Sequence, residues 1–439
     1  MRSTARISAA ILAMVVVAGT SLFVSPAVAH AATVRELQWY LDALRIPQAH
    51  KLSKGRGVTV AVIGGGVDTT HPALKGRVLK GHGIGSDAAP DGHRDSDAKS
   101  GHTTGMAGII AGIGGSDMQQ LGIAPEAKIL PVSMGAEFDD NELVEAIRWA
   151  VDHGADVISL SLGVAGAATE GQVAAVRHAL NKNVVVVASA GNTTQSGYAV
   201  AAPASIPGVI AVTGTAKDGR FLADSVEGPE AVLSAPMQDI ISPRPLSASH
   251  NGYGVSTGTS DAGAIVSGVV ALVRARFPDL DAANVINRLI VTAQDKGPQG
   301  RDSRYGFGVV DPVAALTAQV TPVEANPLLP VTAEDEVGEQ RQRRSGDGPL
   351  IEISVTRNPV AWVLQIGLCL LAVAVVVFLI VVNRRAARRR AGARSVGSPP
   401  ASYAMPPGPQ PPPAAPWGNP PGHRQPWQGQ SPPGNDTRQ

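Results

Sequence analysis

Gly258-Thr259-Ser260 is a small-residue turn that runs into an apolar, helix-like stretch from Ala262 to Arg276, with Ile265, Val266, Val269, Val270 and Val273 along one side. A serine carried on a tight turn at a helix start is accessible, and the unpaired backbone N–H groups of the first turn point at whatever it attacks. The chemistry open to it is nucleophilic, and the alternative is a serine that merely caps the helix. Ser260 does not stand alone. His102 lies upstream in Gly101-His-Thr-Thr-Gly-Met-Ala-Gly108, and Asn192 closes Ala188-Ser-Ala-Gly-Asn192.

The elements that must position these residues read as an alternating α/β chain. Val58 to Ile63 is a continuous, largely β-branched run ending in three glycines, the pattern of a buried parallel strand feeding a turn. Lys128–Val132, Val157–Leu162, Val184–Ala188 and Val209–Val212 repeat it. Helical spacing falls between them, over Asn141–His153 with Leu143, Ile147 and Val151 on one face, and over Gln172–Leu180. Strands alternating with helices imply a parallel sheet covered on both faces. Before the first strand, Leu37, Trp39, Tyr40, Leu41, Leu44 and Ile46 suggest one short amphipathic helix within 32–54.

The 439 residues accommodate one large domain with further segments, and a net charge of +1 gives no electrostatic grip on nucleic acid. The single cysteine, Cys369, excludes an intrachain disulfide. Residues 1–31 read as a secretory signal, with Arg2 and Arg6 before an apolar stretch and small-x-small sites around Ala29, the rival being an uncleaved anchor. Val360 to Val382 is interrupted only by Gln365 and Gly367, long enough to span a bilayer as a helix over 359–383. Arg384, Arg385, Arg388, Arg389, Arg390 and Arg394 follow it, so the positive-inside rule keeps 384–439 in the cytoplasm and places the preceding domain outside. Residues 319–358 lose apolar periodicity and read as a linker, in which Arg341-Gln-Arg-Arg344 is a processing site or a solvated charge run. The tail, dominated by Pro, Gly and Gln from 396 onward, cannot bury a core; it is unspecific disorder or a docking segment around Pro411–Pro413.

In the order Val60-Ala-Val-Ile-Gly64-Gly-Gly-Val-Asp68, the His102 motif, the Asn192 motif and the Ser260 motif, the chain resembles the subtilisin-like serine proteases, or subtilases. Gly122-Ile-Ala-Pro125, Gly154 to Gly163, Pro203 to Val212 and the closing Tyr305-Gly-Phe-Gly-Val-Val-Asp311 resemble that family's framework, so the likeness spans 55–318. The layout is most similar to the mycosins, membrane-anchored subtilases of actinobacterial type VII secretion, although mycosins often carry paired cysteines. The resemblance implies a subtilisin-like three-layer α/β/α fold with a mainly parallel sheet, plus one C-terminal transmembrane helix. It implies Ser260 as nucleophile, His102 as general base and Asn192 as oxyanion donor. Ser161-Leu162-Gly163 would be the edge that pairs with an extended polypeptide and lines its specificity pocket. Secretion-complex proteins are the further partners it suggests. No cofactor is implied, and no ligand spacing is diagnostic of a metal.

One departure bears on everything else. Gly64 stands where the family's triad Asp should follow the first strand, and Asp68 lies beyond the turn. Without that carboxylate nothing fixes the imidazole tautomer or stabilises the imidazolium, so peptide hydrolysis is expected to be weak or absent. The rival expectation is a pseudoprotease that binds peptide or scaffolds a complex. Thr103 replaces a small Gly, Gly105 a residue that is often His or Ala, and Asp261 an uncharged residue beside the serine. Asp91, Asp95 and Asp97, in the loop before His102, are the carboxylates that a loop movement would have to bring to the imidazole.

Overall fold

The computed structural model describes residues 32–163 and 166–330. The chain divides into two units, Met1–Ser345 and Gly346–Gln439, and every described residue lies in the first. The signal at 1–31, the anchor at 359–383 and the tail expected from the sequence lie outside the described residues. No helix among the described residues is long and apolar enough to cross a membrane.

The β-branched runs form strands, as their pattern requires. β1 (Thr59–Gly64), β2 (His82–Gly83), β3 (Lys128–Ser133), β4 (Val157–Leu160), β5 (Val185–Ser189), β6 (Ile210–Thr215) and β7 (Ala231–Pro236) make one sheet in the order β2-β3-β1-β4-β5-β6-β7. Every pairing in it is parallel. Val60 to Ile63 and Val185 to Ala188 are buried along their whole length, which is why they read as continuous apolar runs rather than alternating ones. β4 ends at Leu160, so Ser161-Leu162-Gly163 leaves the sheet as an edge segment instead of extending the strand as expected.

Helices cover the sheet. α4 (His102–Ala111) and α8 (Thr259–Arg276) pack on each other, and α8 also lies against β4, β5 and β6. From Thr259 to Arg274 every α8 residue except Ser260 is buried. That explains a helix apolar on all sides: it is the core of a large domain. α5 (Asp140–Asp152) and α6 (Glu170–Asn181) pack together, each opened by a capping box, Asp139 with Glu142 and Thr169 with Gln172, and the single turn α7 (Thr193–Ser196) follows β5. The sequence predicts neither β2 nor β7, nor the antiparallel pair β8 (Ile240–Pro243) and β9 (Tyr253–Ser256), nor α9 (Ala282–Val291). Pro312–Thr317 (α10) closes the domain, and the chain stays in contact beyond it, Val323 N–H donating to Asn284 Oδ1 at 2.8 Å.

The single N-terminal helix expected from the apolar spacing is instead three short turns, Val34–Leu37 (α1), Trp39–Ala43 (α2) and Ile46–Ala49 (α3). The physical reason is competition for the backbone. The Gln38 amide is buried and bonds Leu121 through both N–H and C=O, and Arg45 takes a left-handed conformation before Pro47. These turns belong to the main core: Tyr40, Leu41, Ile46 and Ala49 are fully buried. Trp39 Nε1 donates to the Gln238 carbonyl at 3.1 Å, and Arg45 pairs with Asp311.

Candidate active site

The C-terminal ends of the parallel strands converge, as open α/β sheets arrange for their ligands. Gly64 ends β1, Ser161 follows β4 and Asn192 follows β5. His102 begins α4, and Ser260 is the second residue of α8. A cavity of about 300 Å³ is lined by His102, Ser161, Leu162, Gly163, Asn192 and Ser260 among others, so every site residue read from the sequence meets there. A second cavity, of about 190 Å³, lies on the Gly64 side of His102 and shares His102, Ser161, Leu162 and Asp97 with the first.

The serine is latched. Ser260 Oγ donates to the Ser161 carbonyl at 3.3 Å, while Ser161 Oγ donates to the Ser260 carbonyl at 3.0 Å. Its hydroxyl therefore points at the edge segment and not at His102. Asn192 is held from both sides: its Oδ1 accepts the Thr259 N–H at 2.9 Å, and its Nδ2 donates to Gln195 Oε1 at 3.1 Å. The first bond aims the amide across the start of α8. The second engages one of the two N–H groups of the amide expected to serve as oxyanion donor, and the sequence gives no sign of Gln195.

At the acid position the space is filled. A Cβ on Gly64 would fall 2.5 Å from Thr103 Oγ1 and 3.3 Å from its Cγ2, and that same Oγ1 accepts the Gly65 N–H at 2.8 Å. Thr103, which the sequence showed only as a crowding residue, is thus the counterpart of the missing side chain. Neither ring nitrogen of His102 has a hydrogen-bond partner among the described residues. Burial and then the Arg244 guanidinium hold the imidazole down to about 4, with Asp97 pulling the other way.

None of the three loop carboxylates bonds the imidazole. Asp91 is bound to the His93 N–H at 3.1 Å. Asp95 is buried and accepts Thr104 N–H at 2.8 Å and Thr104 O–H at 2.7 Å; burial nevertheless pushes its carboxyl up to about 6. Asp97 accepts the Lys99 and Ser100 N–H groups at 3.2 and 3.0 Å and also the Ser100 hydroxyl, which ties it to its own turn. Asp68 is equally occupied, by Thr70 N–H at 2.9 Å and Thr70 O–H at 2.6 Å.

Behind the site runs a buried polar chain that the sequence did not reveal. Arg244 Nη2 donates to Ser256 Oγ at 3.3 Å, and Ser256 Oγ donates to the Asp261 carboxylate at 3.1 Å. Arg244 also reaches the Gly101 carbonyl at 3.4 Å, one residue before His102. Gly105 makes room for it, since a Cβ there would lie 2.2 Å from Arg244 Nη1. Asp261 therefore turns away from the oxyanion position, against the expectation of a charge beside it. Burial raises its carboxyl to about 7, opposed by the Ser256 hydroxyl and the guanidinium. Gly105, Arg244 and Asp261 have no shared sequence signal, because β8 and β9 are what bring them together.

The family model described as the subtilase family matches residues 55–308. Mycosin-1 of Mycolicibacterium smegmatis is 33% identical over 337 residues, covering 64% of this chain and 73% of that protein. Mycosin-1 of Mycobacterium tuberculosis is 34% identical over 345 residues, 66% of this chain and 75% of that one. Among solved structures, MycP1 with the N-terminal propeptide removed superposes with a TM-score of 0.56 at 32% identity, covering 64% of this chain and 97% of that one. MycP1 from the ESX-1 type VII secretion system gives a TM-score of 0.56 at 32% identity, covering 66% and 88%.

Proposed function

The chain belongs to the subtilase family, and from that premise we propose that it is a membrane-anchored, extracytoplasmic subtilisin-like domain that holds polypeptide in extended form and cleaves it only slowly. The observation that carries this reading is at Gly64: Thr103 fills the space from which an acid would project, and the His102 imidazole is left without a partner. In subtilisin, loss of the acid alone lowers kcat by about 3 × 10⁴, roughly 6 kcal/mol. What remains follows from the residues present. A ligand strand pairs along Ser161-Leu162-Gly163 and displaces the Ser260 hydroxyl from the Ser161 carbonyl. The freed hydroxyl gives its proton to neutral His102 as Oγ attacks. Asn192 Nδ2, released from Gln195, and the Ser260 N–H receive the oxyanion.

A second reading is favoured by the relatives. MycP1 belongs to a type VII secretion system, and a domain with this cleft would serve as a peptide-holding, non-cleaving member of such a complex. The experiment that separates the two is covalent labelling of the full chain, solubilised in detergent, by a fluorophosphonate probe with Ser260→Ala as control. Slow labelling that disappears in the variant is the expected result. A folded chain that never labels leaves the binding role alone standing.

A further inference from the structure

Besides the His102 imidazole, the two cavities are lined among the described residues by backbone, hydroxyl, amide and apolar groups and by one charged side chain. Asp97 is the one carboxylate among the residues lining either cavity; it lines both, and no lysine or arginine lines them. Its carboxylate forms no ion pair among the described residues. Lys99 N–H, Ser100 N–H and the Ser100 hydroxyl from its own turn, together with the His102 N–H, engage it and fix its position. That turn is in its own right bound to the start of α4, Gly101 N–H donating to the Asp97 carbonyl at 2.8 Å. The carboxylate is therefore placed rigidly, partly exposed, at the junction of the two cavities, next to the Ser161–Leu162 edge.

We propose that Asp97 makes this cleft select polypeptide carrying a cationic side chain, lysine or arginine, at the position that falls against the second cavity. The proposal rests on the reading that the cleft holds extended polypeptide. The walls suit such a side chain along its length: Met106, Phe138 and Leu162 line the cavity and would cover the methylene stem, leaving the charged head at Asp97. The surrounding charges leave Asp97 without a competitor inside the cleft. His102 is held neutral at physiological pH by burial and Arg244. Arg244, whose charge Asp97 feels, is committed to Ser256 and the Gly101 carbonyl outside the cavities and faces Asp261. Asp95, whose Oδ1 accepts the Asp97 N–H at 3.1 Å, adds negative potential.

The test is a lysine scan. The full-length Ser260→Ala chain, in detergent, is titrated against fluorescein-labelled alanine-serine octapeptides that carry lysine or norleucine at each position in turn, with anisotropy as readout. At one position lysine should bind roughly fivefold tighter than norleucine, the scale of a partly exposed ion pair. The preference should shrink at 0.5 M salt, vanish in Asp97→Asn, and persist in Asp97→Glu. Asparagine keeps an acceptor for the turn, and the salt titration needs no change at Asp97, so misfolding of one variant does not remove the test. Equal binding of lysine and norleucine peptides at every position, or a preference that survives Asp97→Asn, overturns the proposal while leaving peptide binding intact. Failure of every peptide to bind overturns both this proposal and the reading beneath it.

Discussion

Restoring the acid by Gly64→Asp alone should not restore hydrolysis. A Cβ at 64 would lie 2.5 Å from Thr103 Oγ1, inside any tolerated contact, so Thr103 must leave its rotamer, giving up the Gly65 N–H, or the start of α4 must move. Overpacking of this kind costs about 1–3 kcal/mol in stability, and it displaces His102, the adjacent residue, from the geometry the acid is meant to serve. The double change Gly64→Asp with Thr103→Gly removes both obstacles, because Oγ1 and Cγ2 leave together and the new carboxylate can take over the Gly65 N–H. The ceiling on the gain is about 3 × 10⁴ in kcat. The Ser260–Ser161 hydrogen bond has to be broken in the native chain as in the double variant and so cancels from the ratio, leaving an expected rise on the order of 10⁴ over the native chain. The assay is a cycle of the four chains, native, each single and the double, read by fluorophosphonate labelling rate and by release of p-nitroaniline from a peptide anilide. Circular dichroism confirms that each chain is folded. A Gly64→Asp chain as active as the double, or a folded double no faster than the native chain, would refute the steric argument.

Three other outcomes follow from the buried charges and the oxyanion amide. Any residual labelling should rise with pH through about 4 rather than 6.5, since neutral His102 is the base, and Arg244→Met should move that limb upward by removing the guanidinium that depresses it. Asp261 has its folded value raised above the unfolded one, so its contribution to stability is full below pH 4 and is lost as pH rises through about 7. Urea unfolding of Asp261→Asn should therefore lack a decline in stability, on the order of 4 kcal/mol across that window, that the native chain shows. Gln195→Ala should free Asn192 Nδ2 and speed labelling by a few-fold, whereas slower labelling would mean that the Gln195 bond positions the amide.

How much of this was readable without coordinates depended on how local the determinant is. β1 and β5 were legible because a run of β-branched residues buried on both faces has no other reading, and Ser260, His102 and Asn192 because each sits in a motif of contiguous residues. The N-terminal spacing predicts one helix where the structure has three turns, because that spacing says nothing about Gln38, whose amide gives its hydrogen bonds to Leu121. Thr103 was visible as a residue out of place beside His102, but its pairing with Gly64 depends on how α4 meets the end of β1. The Arg244–Ser256–Asp261 chain was invisible for a stronger reason. Its members are brought together by β8 and β9, which are too short to show a period, and Asn251-Gly252 before β9 marks a turn without saying which strand β9 pairs with.

The three N-terminal turns have a consequence for the order of assembly. Trp39 waits for Gln238, Gln38 for Leu121, and Arg45 for Asp311 at the far end of the domain. A chain threaded through a membrane from its N-terminus, as the proposed topology requires, delivers these turns first and their seats last. They cannot settle until nearly the whole domain has crossed, so the earliest residues to arrive are among the last to be fastened, and they close the domain as a keystone closes an arch.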